Sequence, residues 1–293
     1  MAERIGFIGL GKMGTSLTRN LLEDGHEVAG YDIDPARMKT LEDAGGSPLP
    51  SAREVAERSD VVFTILLKPE HIEENTIGDK GIAAAGKEGL ILVEMSTMHP
   101  TWSVGLAEKL AAKGIEMLDS PVSGSVPSVE SRTLAFMVGG KKEVFERVLP
   151  IIEPLGRSVV HTGANGTGCT MKLVTNLFVN AGVALLTESL LLGERSGLSG
   201  ETLMECLRAG TVGGNLLEML GPKILARDFT PHGAVEIFVK DMGLAMDLAK
   251  ERGFDLQLVK AGREMFLRAQ AAGWGKDDAV RVIEVYEGKD GKG

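Results

Sequence analysis

The chain has 293 residues, of which 43% are apolar and 25% are charged, close to the average for folded globular proteins. This composition excludes a disordered, collagen-like or disulfide-stapled chain. Lys and Arg number 32 against 41 Asp and Glu, giving a formal net charge of −9, so no nucleic-acid partner is expected. The length predicts roughly two domains, and 38 glycines predict many tight turns and close backbone approaches.

The chain carries few signals of secretion, membranes or metals. Its first residues lack the layout of a signal peptide, and no uninterrupted apolar run approaches the roughly 18 residues of a membrane span. Cys169 and Cys206 predict neither a disulfide framework nor a zinc site. Because no His, Asp or Glu cluster has the spacing of metal ligands, no metal is expected. We expect a reducing cytoplasmic compartment and no membrane partner.

The first half of the chain alternates short apolar segments with helical patterns. Several of the apolar segments are nearly continuous, as strands buried on both faces of a sheet are. In chain order, the predicted strands are Ile5–Ile8, Val28–Asp32, Val61–Leu66, Leu90–Met95, Glu116–Asp119, Ala135–Val138 and Val159–His161. The helices predicted between them include Thr15–Glu23, Pro35–Ala44 and Thr101–Lys113. This alternation predicts an α/β fold with a doubly wound, mostly parallel sheet and right-handed crossovers.

Helical patterns replace strands after residue 163. A segment from Gly166 to Arg195 has no Pro and is dense in apolar residues; a helix of about thirty residues would be about 45 Å long. Further helices are predicted at Gly200–Arg208, Asn215–Leu225, Val239–Lys250, Gln257–Ala272 and Asp277–Glu287. The sequence therefore predicts an α/β domain over 1–163 and an all-α domain over 164–293. The predicted helix from Gly166 to Arg195 is so apolar that it must be buried centrally or packed against a partner chain, and we therefore predict a homodimer or homotetramer.

A glycine-rich turn joins the first predicted strand to the first predicted helix. Its first glycine permits a tight turn, its second admits a pyrophosphate and its third allows close helix packing, while the helix N-terminus offers N–H groups to phosphates. The candidate dinucleotide-binding residues of this turn are Gly9, Leu10, Gly11, Lys12, Met13 and Gly14.

An acidic residue follows the second predicted strand at the spacing expected for a ribose ligand. Asp32 can accept hydrogen bonds from both ribose hydroxyls and would repel a 2′-phosphate. Position 33 is Ile, so no Arg follows directly to bind such a phosphate, although Arg37 lies nearby. We therefore predict NAD as the cofactor in preference to NADP.

Four blocks of sequence together resemble the β-hydroxyacid dehydrogenase family, in that family's order. The blocks are the turn Gly9–Gly14, Asp119-Ser-Pro-Val-Ser-Gly124, Gly166-Thr-Gly-Cys-Thr-Met-Lys172 with Asn176, and Phe238-Val-Lys-Asp241. The resemblance covers nearly the whole chain and implies a Rossmann domain followed by a helical domain, with the active site in the cleft between them.

The resemblance also implies roles for individual residues. Lys172 matches the family's catalytic acid/base, a role that requires its pKa to be drawn towards the working pH. Asn176 lies four residues later on the same predicted helix face and would position the substrate. Ser123 and Gly124 would hold a substrate carboxylate, and Lys240 matches a lysine placed near the nicotinamide.

Loops after two of the predicted strands add candidate cofactor contacts, because ligands bind at the carboxyl ends of parallel strands. These candidates are Ser96 and Thr97 after the fourth strand, and Leu67, Lys68 and Pro69 after the third. Two positions depart from the family pattern in the substrate loop. Ser125 replaces a glycine and is a candidate substrate contact together with Ser123 and Gly124. Arg132 is either a cation for a second acidic group on the substrate, and so a further substrate contact, or a solvent-facing side chain.

The sequence thus predicts an NAD-dependent oxidoreductase that interconverts a small 3-hydroxy acid and its semialdehyde or oxo acid by hydride transfer. One alternative is an NADPH-dependent semialdehyde reductase of the same family, although Asp32 argues against NADPH. The other is a noncatalytic cofactor-binding scaffold, against which the retention of Lys172, Asn176 and Lys240 weighs.

Overall fold

A nine-stranded sheet dominates the first part of the computed structural model, which describes residues 3–291. The strands are β1 (Arg4–Ile8), β2 (Glu27–Tyr31), β3 (Ser47–Pro48), β4 (Val61–Thr64), β5 (Ile91–Glu94), β6 (Glu116–Asp119), β7 (Val122–Ser123), β8 (Leu134–Gly139) and β9 (Gly156–Gly163). Their spatial order is β3-β2-β1-β4-β5-β6-β8-β7, with β9 paired to β8. Only the pairs β6–β8 and β7–β8 are antiparallel among these described strands, so the predicted mostly parallel sheet is confirmed.

Helices connect the strands, and further helices follow β9 in the described residues. Those interspersed with the strands are α1 (Lys12–Glu23), α2 (Pro35–Asp43), α3 (Ala52–Arg58), α4 (Pro69–Ile77), α5 (Pro100–Ala111), α6 (Val126–Glu130) and α7 (Lys142–Ile152). Those that follow are α8 (Thr167–Arg195), α9 (Gly200–Ala209), α10 (Asn215–Ala226), α11 (Val235–Glu251), α12 (Gln257–Ala269) and α13 (Val282–Tyr286). The structure contains no strand between residues 164 and 291, so the predicted helical carboxyl-terminal region is confirmed.

Apolar clusters cover both faces of the central strands, and neighbouring residues of each strand contribute to opposite faces. On β4, Val61 and Phe63 belong to one apolar cluster, in which Phe63 stacks on Phe7 with ring centres 6.0 Å apart. Val62 lies between them in sequence and belongs to the other cluster, together with Leu92 of β5. This burial on two sides is the physical reason for the continuous apolar segments in the sequence.

The carboxyl ends of five strands lie in one row across the sheet. Tyr31 of β2 pairs with Ile8 of β1, which pairs with Thr64 of β4; Thr64 pairs with Glu94 of β5, and Glu94 pairs with Asp119 of β6. The loops that follow these five residues therefore leave from the same edge. In open parallel sheets this is the edge at which ligands bind.

The chain divides between Lys172 and Leu173 into two compact units. The predicted boundary at residue 163 coincides with the end of β9, and the division falls a little later, within α8. The second unit has its own apolar core, in which Val183 of α8 packs in one cluster with Met242 of α11, Phe266 of α12 and Val282 of α13.

Helix α8 corrects one expectation from the sequence. Among the described residues it is long and apolar enough, by length and composition, to cross a membrane. The expectation considered only uninterrupted apolar runs. The mean hydropathy of α8 is high even though Thr, Asn and Gly residues interrupt its apolar runs. One such helix is weak support for a membrane span, because the core helix of a soluble protein passes the same test.

Candidate active site

The glycine turn between β1 and α1 has a backbone that requires glycine at two positions. Gly9 has a φ of 91°, and a Cβ on it would lie 2.3 Å from the carbonyl oxygen of Ile65. A Cβ on Gly14 would lie 2.0 Å from the carbonyl oxygen of Gly9. The turn is therefore held tightly against the end of β4 on one side and the first turn of α1 on the other.

The same turn leaves room for a ligand at its tip. Gly11 is exposed, and beyond its neighbours in the chain no described atom lies within 4 Å of where its Cβ would be. Helix α1 begins at the next residue and has no acidic side chain in its first turn, so its free N–H groups and positive dipole end are available to an anion. These residues fit the pyrophosphate of a dinucleotide.

Asp32 lies beside this turn, at the end of β2. Its Oδ2 accepts a hydrogen bond from the Leu10 N–H at 2.6 Å, and its Oδ1 accepts one from the Asp34 N–H at 2.9 Å. An ionised carboxylate has about four acceptor sites, so each oxygen keeps capacity for a ribose hydroxyl. Arg37 is near enough to pair with Asp34, with its Nε 3.8 Å from Asp34 Oδ2, and it is half-exposed.

A cavity of about 130 Å³ lies beside Gly9 and Asp32. Its walls combine apolar side chains with polar groups from α4, a combination that suits a flat heteroaromatic ring bearing amino groups. The lining residues are Ile8, Gly9, Tyr31, Asp32, Ile33, Leu66, His71, Glu74 and Asn75. The sequence reasoning missed the contribution of α4, because nothing in that amphipathic segment marks the side that faces the cavity.

The loops after β4 and β5 are joined by a hydrogen bond. The Leu66 N–H donates to Ser96 Oγ at 2.8 Å, and Ser96 is buried. Leu66 lines the cavity, whereas the predicted contacts Leu67, Lys68 and Pro69 follow it on an exposed segment where α4 begins. Thr97, next to Ser96, is half-buried. The hydroxyl of Ser96 therefore faces the protein interior and holds the Leu66 backbone.

Two buried carboxylates end strands β5 and β6, and the sequence reasoning assigned a role to neither. Glu94 Oε1 accepts the Ser96 N–H at 2.7 Å, and the Thr64 hydroxyl donates to Oε2. Burial, with a smaller contribution from the neighbouring Asp119, raises the pKa of Glu94 from 4.5 to about 7 against the opposing effect of these hydrogen bonds. An acid at the last position of an otherwise apolar strand was the signal available in the sequence.

Asp119 holds the start of the helix that carries Lys172. Its Oδ1 accepts the Gly166 N–H at 2.7 Å, and its Oδ2 accepts the Cys169 N–H at 2.9 Å. These N–H groups lie at the amino-terminal end of α8, where they have no partner within the helix. Burial raises the pKa of Asp119. Lys172 lies in the turn that follows and is half-buried.

The predicted substrate loop follows β6. Ser123 is half-buried on β7, where it pairs with Ala135 of β8, and Gly124 is exposed directly after it. Ser125 begins the short helix α6, and its N–H donates to the hydroxyl of Ser128 at 3.3 Å. The departure from glycine at position 125 thus has a structural consequence, since serine is a favourable residue for starting a helix.

The Arg132 side chain is partly exposed and points to the end of α1. Its Nη1 donates to Asp24 Oδ2 at 2.7 Å, and its Nη2 lies 3.3 Å from Glu23 Oε2. Both acids lie at the carboxyl-terminal end of α1, about 18 Å along the helix from the end that faces the glycine turn. This placement gives no support to a contact between Arg132 and substrate, because the guanidinium is already paired with two carboxylates.

Two further predicted residues meet at one carboxylate in the second unit. Asn176 is buried on α8, and its Nδ2 donates to Asp241 Oδ2 at 2.7 Å. Lys240 Nζ lies 3.2 Å from Asp241 Oδ1. Because an ionised carboxylate only accepts hydrogen bonds, Asp241 fixes the orientation of the Asn176 amide and turns its Oδ1 away. Asn176 lies one helical turn after Lys172 on α8.

The glycine turn, the acid after β2 and the cavity between them define a dinucleotide-binding domain of the Rossmann type. Within residues 3–291, no group of three His, Cys, Asp or Glu side chains is placed to hold a metal ion. Residues 4–163 match the family model for the NAD binding domain of 6-phosphogluconate dehydrogenase. Residues 166–286 match the model for the NAD-binding region of NADP-dependent 3-hydroxyisobutyrate dehydrogenase. The chain belongs to the β-hydroxyacid dehydrogenase family and is an NAD(P)-dependent oxidoreductase.

Characterised relatives match along almost their whole length. The chain is 34% identical to 2-(hydroxymethyl)glutarate dehydrogenase of Eubacterium barkeri, over 97% of this chain and 95% of the relative. It is also 34% identical to 3-hydroxyisobutyrate dehydrogenase of Pseudomonas aeruginosa, over 98% and 99%. The structure of the Mycobacterium tuberculosis 3-hydroxyisobutyrate dehydrogenase with L-serine superposes with a TM-score of 0.88 at 29% identity, covering 98% of this chain and 99% of that one.

Proposed function

We propose that the protein is an NAD-dependent dehydrogenase that interconverts a small 3-hydroxy acid and its semialdehyde or oxo acid. The proposal rests on two features that occur together in this member of the family. Asp32 lies beside the glycine turn, and Lys172 and Asn176 lie one turn apart on α8. The first feature selects the cofactor, and the second supplies the polar groups for chemistry at a carbon–oxygen bond.

Lys172 is the proposed acid/base. When bound, the nicotinamide ring accepts or donates the hydride. During oxidation the neutral amine of Lys172 takes the proton of the substrate hydroxyl, and during reduction its ammonium returns that proton to the carbonyl oxygen. The bonds from Asp119 to the first turn of α8 would hold the backbone that carries Lys172 in place.

Substrate orientation is assigned to two groups. Ser123 and the backbone N–H of Gly124 would hold the substrate carboxylate, since hydroxyl and amide donors suit an anion. The Asn176 Oδ1, turned away from Asp241, would accept a hydrogen bond from the Lys172 side chain and so hold it towards the substrate, because the single proton of the substrate hydroxyl goes to Lys172. Lys240 and Thr97 are proposed cofactor contacts, and Ser125 is a proposed substrate contact, because its bond to Ser128 uses the backbone N–H and not the side chain. Arg132 is left out of the substrate contacts, since its guanidinium is paired with Asp24.

The preference for NAD rests on Asp32. Its carboxylate accepts hydrogen bonds from the N–H groups of Leu10 and Asp34 and has acceptor sites left for the 2′- and 3′-hydroxyls of a ribose. A 2′-phosphate at this position would be repelled. Arg37, the nearby cation, lies within ion-pairing distance of Asp34. These contacts favour NAD over NADP.

A homodimer or homotetramer in the cytoplasm completes the proposal. Helix α8 exposes apolar side chains at intervals of seven residues, at Met171, Phe178, Leu185 and Leu192. Side chains at this spacing form one stripe along a helix, and an exposed apolar stripe favours a partner surface. Light scattering at micromolar concentration tests this part, and a monomer mass would contradict it.

A substrate and cofactor panel tests the proposed reaction. We would measure kcat/KM for small 3-hydroxy acids with NAD and NADP, and for semialdehydes with NADH and NADPH. The proposal predicts turnover of at least one pair, with kcat/KM at least about tenfold higher for the cofactor without the 2′-phosphate. Absence of turnover across the panel, or a higher kcat/KM with NADP(H), would contradict it.

A further inference from the structure

Glu94 is the fourth of the five strand ends in the row from which the cofactor-binding loops leave. It pairs in register with Thr64 on one side and Asp119 on the other, and all three are fully buried. Neither the glycine-turn motif nor the family's substrate blocks contain it. A carboxylate in such a place costs free energy unless its oxygens are hydrogen-bonded, so its contacts indicate what it does.

The contacts of Glu94 are directed to the two loops. Oε1 accepts the Ser96 N–H at 2.7 Å. Oε2 accepts the hydroxyl of Thr64. The Ser96 Oγ in turn accepts the Leu66 N–H at 2.8 Å. One carboxylate therefore holds the end of β4, the start of the loop after β5 and, through Ser96, the loop after β4.

The chain of contacts continues to the cofactor turn. Leu66 lines the cavity beside Asp32, and the carbonyl oxygen of Ile65 lies against Gly9 so closely that a Cβ there would be 2.3 Å away. A shift of the Ile65–Leu66 backbone would therefore move both a wall of the cavity and the surface on which the glycine turn rests.

We propose that Glu94 is a positioning residue for the cofactor. It fixes the positions of the loops after β4 and β5 through its bonds to Thr64 and Ser96. The inference rests on the proposed function, because it concerns how that cofactor is held. Glu94 touches neither cofactor nor substrate, and its effect reaches them through Ser96, Leu66 and Ile65.

Substitution with glutamine separates this role from general stability. Glu94→Gln keeps the shape but replaces one acceptor oxygen with an NH2 group, so a hydroxyl that donated to the carboxylate loses its acceptor in a fully buried site. At pH 8, where the carboxylate is ionised, we expect the Kd for NADH to rise about tenfold. The kcat at saturating NADH and the KM for substrate stay within about twofold. Thr64→Val removes one of the same bonds and should raise the Kd in the same direction.

Ser59→Ala is the matched control. Ser59 lies just before the other end of β4, is fully buried, and donates its hydroxyl to the Val55 carbonyl at 2.7 Å. It should leave the Kd for NADH within about twofold even where it lowers the melting temperature as much as Glu94→Gln does. The Kd is measured by NADH fluorescence on the full-length protein, and the melting temperature on the same samples.

Three results would overturn the inference. They are an unchanged Kd in a folded Glu94→Gln variant, an equal rise in Ser59→Ala, and a fall in kcat at saturating NADH with the Kd unchanged. If the wild-type protein binds NADH and turns over substrate in these cases, only the role of Glu94 is refuted. If the wild type binds neither NADH nor NADPH, the proposed function fails, and the inference fails with it.

Discussion

Glu94→Gln should change how the stability of the protein depends on pH. Burial raises the pKa of Glu94 from 4.5 to about 7, so between these values the folded chain binds a proton that the unfolded chain does not. The free energy of unfolding therefore falls as pH rises through this range. The contribution of Glu94 is fully present below its unfolded pKa and is lost as the pH passes about 7. Glutamine does not titrate, so the variant lacks this contribution.

The size of the effect follows from the shift. Each pKa unit corresponds to about 1.4 kcal/mol, so the shift from 4.5 to about 7 is equivalent to about 3 kcal/mol over the full range. Between about pH 5.5 and about pH 8.5 the wild type should lose about 2 kcal/mol more than the variant. Asp119, whose pKa burial also raises, contributes with the same sign in both proteins and largely cancels in the difference.

Urea denaturation of both proteins at several pH values measures this difference. The unit that contains the sheet is followed by the fluorescence of Trp102, on α5, and each protein is compared with itself across pH. Between about pH 5.5 and about pH 8.5 the free energy of unfolding of the wild type should fall by about 2 kcal/mol more than that of the variant, whatever their separation at low pH. Parallel curves would refute the reasoning, because they would show that Glu94 titrates alike in the folded and unfolded chains.

Three other substitutions test separate parts of the site. Asp32→Ser should raise the ratio of kcat/KM for NADP to kcat/KM for NAD by roughly a hundredfold, because the repulsion of a 2′-phosphate is removed. An unchanged ratio would show that another residue discriminates between the two cofactors. Arg132→Ala should leave kcat/KM within about twofold and lower the unfolding free energy by about 1 kcal/mol through loss of its bonds to the end of α1; a large rise in substrate KM would restore Arg132 as a substrate contact. Asp241→Asn should reduce kcat/KM about tenfold, since Asn176 and Lys240 both lose a charged partner; wild-type kinetics would rule out a positioning role for Asp241.

The parts of the fold that the sequence predicted well are those with strong local constraints. Strands such as β4 are continuously apolar because both faces are buried, so Val61–Thr64 is visible without knowledge of its neighbours. The glycine turn is visible because Gly9 and Gly14 each meet backbone atoms that exclude a side chain. By contrast, β7 has two residues, too few for any periodic pattern, and it exists only because β8 pairs with it.

The parts of the site that escaped prediction depend on partners distant in sequence. Glu94 is hydrogen-bonded to Thr64, thirty residues earlier, and Asp119 is hydrogen-bonded to Gly166, 47 residues later. Arg132 was a candidate substrate contact until its partner Asp24, 108 residues away, was known. The type of a residue indicates what it can bond to, whereas its role here depends on which loop the fold brings beside it.

Proton transfer by Lys172 is the central claim, and Lys172→Met tests it most directly. With the best substrate of the panel and saturating NAD(H), kcat should fall by about 10² to 10⁴-fold, the range of general acid/base contributions. The Kd for NADH should stay within about twofold of the wild type, and Lys142→Met, which removes an exposed lysine of α7, should leave kcat unchanged. A Lys172→Met enzyme that keeps kcat within tenfold of the wild type would contradict the assignment of Lys172 as the acid/base.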